Sequence, residues 1–159
     1  MRKWLPIAIL VVLAMPGTVH AAPGKGLWAT VNVCDPDGAR NVIGIRGSMP
    51  GNGTTQQLYM HFSAQWYDTG RKRWVATGSA SKWMRVGSAR FRSTQAGYSF
   101  QFADPPRGAR FLMRGVVRYQ WRRGSRVLKR ASRVTKGGYR GVVGGTPAGR
   151  SDAVCTILH

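Results

Sequence analysis

The chain has 159 residues, with 25 Lys or Arg against five Asp and no Glu, a formal charge of +20. So few carboxylates leave little material for acid-base chemistry by carboxylate pairs, and the length suits one ordinary domain that buries a core without help from a metal. Arg far outnumbers Lys, and Gly and Ala are common, as in proteins encoded by GC-rich genomes, so part of the positive charge follows from composition alone.

The first segment is basic at Arg2 and Lys3, apolar from Trp4 to Met15, broken at Pro16-Gly17, and small toward Val19-His20-Ala21-Ala22. This is the pattern of a cleavable signal peptide over residues 1–21, with cleavage expected after Ala21 and Ala22 as the alternative. The apolar run is shorter than the roughly 20 residues of a membrane-spanning helix, and no later stretch could span. No cysteine follows it to carry a lipid. The expected product is a secreted protein, extracellular or on the surface of the cell envelope. Loss of Arg2 and Lys3 leaves 23 basic residues against the five acids, or +18.

Eight strands are predicted in the remainder. Leu27–Val33 and Asn41–Arg46 come first, separated by the turn Asp35-Pro36-Asp37-Gly38. After Pro50-Gly51-Asn52-Gly53, the segment Gln57–Tyr67 alternates with period two. It places Leu58, Met60, Phe62, Ala64 and Trp66 inward, and Tyr59, His61, Ser63, Gln65 and Tyr67 outward. Arg73–Thr77, Trp83–Phe91 and Tyr98–Phe102 follow as weaker strands, with breaks at Asp68-Thr69-Gly70 and Asp104-Pro105-Pro106. Phe111–Arg122 repeats the alternation, with Phe111, Met113, Val117, Tyr119 and Trp121 inward and Arg114, Arg118, Gln120 and Arg122 outward. Arg123-Gly124-Ser125 then turns tightly enough for a hairpin into Arg126–Val134. The Gly-rich stretch Thr135–Arg150 lacks strand pattern and is expected to be a loop or tail held by Cys155. No helical stripe occurs.

Cys34 and Cys155 lie near the two ends of the mature chain, and secretion favours a disulfide between them. Such a bond closes nearly the whole domain and is worth roughly 4–5 kcal/mol on the chain-entropy model. The alternatives are two buried free thiols or, less favoured, an incomplete metal-ligand set. The expected fold is therefore all-β: a single antiparallel β-sandwich of about seven strands over residues 22–134, followed by a Gly-rich segment over 135–159 pinned by the disulfide.

Trp66 near the end of a long central strand, and the run Arg114 to Trp121 (RGVVRYQW) leading through a hairpin into Arg126–Val134, resemble strands C, F and G of the immunoglobulin-like and fibronectin-type-III-like sandwiches of bacterial secreted proteins. The resemblance covers most of the mature chain in outline. It implies that the three strands are neighbours and that their outward residues share one face. The family's inter-sheet cysteine pair is missing, because no cysteine occurs between Asn41 and Arg122.

No catalytic constellation is recognisable. Asp35, Asp37, Asp68 and Asp104 sit in turns, which explains their positions, and Asp152 lies near the end; a hydrolase would require them to gather in a cleft. His61 and His159 are the only histidines after the signal peptide, and His61 falls on a strand face expected to be exposed. No nucleophile elbow, P-loop or metal cluster is present, so no cofactor and no metal are expected. Asn52-Gly53-Thr54 matches a glycosylation acceptor, a weak pattern in a Gly-rich turn. Arg71-Lys72-Arg73 reads as an exposed loop.

The candidate site is the shared face that the resemblance implies: Tyr59, His61, Gln65 and Tyr67 beside Arg114, Arg118 and Arg122, with Arg130 or Lys129 beyond. Arg makes bidentate contacts to phosphate or carboxylate, and Tyr supplies a stacking surface. The bland description is a solvated sheet face kept soluble by charge. The expected function is a non-enzymatic binding module for an anionic cell-wall polymer or an acidic protein, with nucleic acid bound only non-specifically. The alternatives are a structural or accessory domain without a polymer ligand and, third, a secreted hydrolase.

Overall fold

The computed structural model describes residues 26–158, so the expected signal peptide and His159 lie outside the described residues. The fold is all-β, as the alternation predicts: nine antiparallel strands among the described residues, in two packed sheets. They are β1 (Trp28–Cys34), β2 (Val42–Pro50), β3 (Gln57–Asp68), β4 (Arg73–Ala80), β5 (Met84–Ser88), β6 (Ser93–Gln101), β7 (Arg110–Arg123), β8 (Arg126–Val134) and β9 (Cys155–Leu158). The eight predicted segments fall on β1 to β8, and one strand is added: β9 is four residues long, too short for its alternation to register in the sequence.

The small sheet has the order β1-β2-β6, and the large one the order β4-β3-β7-β8 with β5 also on β3 and β9 also on β7. Both long strands carry two partners along one edge, because each is longer than the strands beside it. The inward residues interlock between the sheets: Leu58, Met60, Phe62, Met113, Val117, Tyr119 and Trp121 meet Val31, Ile43, Ile45 and Met49, all buried. Trp66 and Phe111, expected inward, pack against this core while partly exposed. The sheets approach closely where side chains vanish. A Cβ on Gly115 would overlap Ile45, and one on Gly47 would press on the Tyr119 hydroxyl. That hydroxyl donates to the Trp28 carbonyl at 2.6 Å, and burial pushes its pKa far up.

Cys34 and Cys155 form the expected disulfide, joining the end of β1 to the start of β9. The stretch from Lys136 to Asp152 forms no strand, yet it is laid along β1 by directed hydrogen bonds. Lys136 N donates to Ala29 O, Asp152 N to Val31 O and Thr146 N to Asn32 O, each at 2.9–3.0 Å. The buried polar groups of the small sheet's outward face find their partners there: Thr30 Oγ1 donates to Asp152 O at 3.0 Å and Asn32 Nδ2 to Gly144 O at 2.7 Å. Tyr139 stacks on Trp28 with ring centres 5.0 Å apart. This strap covers the edge of the small sheet and the part of its outer face beside β1.

Candidate functional site

The outward face of the large sheet is assembled by register. β3 pairs with β7 so that Tyr59 is opposite Gln120, His61 opposite Arg118 and Gln65 opposite Arg114. On β8, Arg130 continues the Gln120 row and Ser132 the Arg118 row. Residues opposite one another in adjacent antiparallel strands share a face, so Tyr59, His61, Gln65, Arg114 and Arg118 are brought together, joined by Tyr67 and Arg122 at the two ends. Of the two further candidates, Arg130 lies on this face. Lys129 pairs with Trp121 on the other side of β8, its Nζ 4.8 Å over that indole.

Two aromatic residues absent from the predicted site complete it. Trp74 is opposite Tyr67 across the β3–β4 hairpin, and the rings meet edge to face at 5.3 Å. Trp83 precedes β5 where the β3 edge passes from one partner strand to the next. There the Ser81 hydroxyl accepts from Phe62 N at 2.9 Å and Ser81 N donates to Phe62 O, bridging the gap between strands. Trp74 was traceable by counting back from the Asp68-Thr69-Gly70 turn. Trp83 was not, because its placement depends on the break between β4 and β5.

The arginines are stacked on these rings. Arg114 Cζ lies 4.3 Å over Trp74, and Arg122 Cζ lies 4.1 Å over Tyr59 and 5.3 Å from Trp83. Each also spends its Nε on a neighbouring amide, Arg114 to Gln65 Oε1 at 2.8 Å and Arg122 to Gln120 Oε1 at 2.7 Å. A guanidinium has five N–H donors, so four remain on the Nη groups, in a plane set by the stacking and the Nε bond. Dehydration beside Trp74 lowers the Arg114 pKa from its ordinary high value. Arg118, between these two, is exposed and flanked by shallow grooves of about 420 Å³ toward β8 and about 260 Å³ toward β4.

Two residues of the predicted face are less open than expected. Gln120 points outward but is only 8 % exposed, covered by its own neighbours on the face. His61, read as a surface imidazole, is half-buried with its ring 5.3 Å from Trp83, and its Nδ1 is buried without a partner. Burial, with the nearby Arg118 charge, holds its pKa below the usual range. The shielding of His61 comes from the overhanging Trp83, and Gln120 is engaged by Arg122.

No carboxylate offsets this face. The ion pairs among the described residues are Arg71–Asp68 and Arg150–Asp152, in a turn and in the strap. Asp35 and Asp104 meet at Asn41, Asp35 accepting from its N at 2.6 Å and Asp104 from its Nδ2 at 2.5 Å, whereas Asp68 accepts from Arg71 N at 2.9 Å within its own turn. Among the described residues, no cluster of three or more His, Cys, Asp or Glu could hold a metal ion. A separate apolar groove of about 320 Å³, lined by Trp66, Phe102, Phe111 and Met113 among others, opens between the sheets and contains no charged side chain. No protein-family model matches the chain, and no curated protein resembles it in sequence.

Proposed function

We propose that this is a secreted, non-enzymatic binding module whose arginine-aromatic sheet face engages an anionic polymer of the cell envelope. The observation that carries the reading is the row Arg114, Arg118, Arg122 on β7, with two of its three guanidinium groups stacked on Trp74 and on Tyr59 and no carboxylate beside them. The three recur every fourth residue on one strand face, a repeat of about 13 Å and a row of about 26 Å. A row of that length suits an extended chain of phosphates or carboxylates better than a single small anion. Pre-set forks lose little conformational freedom when they close on such groups. The disulfide is compatible with an oxidising compartment, and no helix among the described residues is long and apolar enough to cross a membrane. The order β1-β2-β6 against β4-β3-β7-β8 supports an immunoglobulin-like reading of the sandwich.

The test is a salt titration of the oxidised protein on purified anionic cell-wall polymer, with single-stranded DNA and a neutral polysaccharide as comparators. Binding should fall steeply with salt and prefer the wall polymer. Replacing Arg114, Arg118 and Arg122 with Ser should lower the slope of log K against log salt by about 2, while replacing Arg71, Lys72 and Arg73 should change it less. Equal losses in the two triple variants, or binding that survives high salt, would leave an accessory domain whose charge is compositional.

A further inference from the structure

The strand register gathers three connections at one end of the sandwich. Pro50 is opposite Ser93, Gln57 is opposite both Ser88 and Arg122, and Arg123 is opposite Arg126. The β2–β3 loop, the β5–β6 tip and the β7–β8 hairpin therefore lie side by side, the tip and the hairpin about 10 Å apart, or two interstrand spacings.

The β5–β6 tip reads Arg90-Phe91-Arg92, and Phe91 is 67 % exposed, the most exposed of the large hydrophobic side chains among the described residues. An isolated surface Phe would need no explanation. This one is held out by its backbone. Asn52 N and Gly53 N both donate to Ala89 O at 2.9 Å, and Gly51 N donates to Arg92 O at 3.0 Å. Gly51 is required at this contact, because a Cβ there would overlap the carbonyl oxygens of Phe91 and Ala89. Ala89 is fully buried beneath the tip.

The charge around it has one sign. Arg90, Arg92, Arg123 and Arg126 are all exposed, and the loop 51–56 carries no charge. Asp68 at the end of β3, and Asp35, Asp37 and Asp104 in the connections beside it, are at the opposite end, roughly 30 Å away by strand length. That is several Debye lengths at physiological salt, so they do not offset it.

We propose that this end docks on an anionic phospholipid bilayer, with Phe91 entering the interface and Arg90, Arg92, Arg123 and Arg126 on the headgroup phosphates. A single aromatic side chain among guanidinium groups combines the two contributions that hold peripheral proteins at such interfaces, apolar burial and attraction to anionic lipid. A soluble polyanion without aromatic bases would use the charges and leave the Phe without a role. The inference does not rest on the sheet face, which lies along the side of the sandwich and reaches this end only at Arg122.

The test is co-sedimentation of the oxidised protein with vesicles of equal parts phosphatidylglycerol and phosphatidylcholine, and with phosphatidylcholine alone, at about 0.15 M salt. Binding is expected on the anionic vesicles only. Phe91→Ala should weaken it about tenfold, while Phe91→Trp should retain it and Arg114→Ser with Arg118→Ser should leave it nearly unchanged. Because Phe91 is exposed, its variants should keep the wild-type melting temperature. Retention of Phe91→Ala at wild-type strength, which would mean attraction by charge alone, or no binding to anionic vesicles, overturns the proposal.

Discussion

The guanidinium of Arg122 is held between the ring of Tyr59, 4.1 Å below it, and the amide of Gln120, which takes its Nε hydrogen at 2.7 Å. Charge and geometry can therefore be separated at this position. Arg122→Lys keeps the charge and loses the planar fork, so polyanion affinity should fall about fivefold with an unchanged salt slope. Arg122→Ala should lower the slope as well, by about 0.7 on single-stranded DNA. Fluorescence anisotropy with a labelled oligonucleotide over a salt series measures both.

At Gly115 the two sheets meet with no side chain on one of them. A Cβ there would lie 2.6–2.8 Å from three carbons of Ile45, which is fully buried in the core. Gly115→Ala should destabilise the fold by about 1–3 kcal/mol. Pairing it with Ile45→Val should recover part of that loss, as urea denaturation of the two variants would report.

The His61 imidazole is kept below its usual pKa by burial and then by Arg118, so the folded state resists its protonation. Below about pH 6.5 the unfolded chain takes up a proton that the folded chain does not. Stability from this residue is thus present above that pH and lost on acidification, and His61→Gln should remove that part of the acid sensitivity. A polyanion seated on Arg118 acts in the opposite sense by favouring the imidazolium. Its affinity should rise as pH falls from about 7 to about 5, and the His61 resonance should titrate higher in the complex.

Cys34→Ser with Cys155→Ser should cost about 2–5 kcal/mol. Because the bond anchors β9 and the end of the strap, hydrogen exchange should accelerate first at the amides of Lys136, Thr146 and Asp152, before those of β3 and β7.

What was legible in the sequence is what alternation encodes. The inward and outward sets of β3 and β7 are placed as their period predicts, and the hairpin after Arg123 joins β7 to β8 as its turn residues predict. The face at Tyr59, His61, Gln65 and Arg114 to Arg122 follows from those two facts once β3 and β7 are neighbours. Trp83 and the shielding it gives His61 were not legible, because they depend on where the β3 edge changes partner. Nor was the course of the strap, since Lys136, Thr146 and Asp152 engage β1 through backbone atoms, which leave no pattern in side-chain order.

β1 is the outer strand of its sheet, and its backbone groups at Ala29, Val31 and Asn32 are already engaged by Lys136, Asp152 and Thr146. The chain thus supplies its own occupant for a site where a strand from another molecule could add. Proteolytic nicking among the exposed residues of the Gly-rich part of the strap would loosen that occupant without breaking the disulfide, and would open the β1 edge to a strand from another molecule.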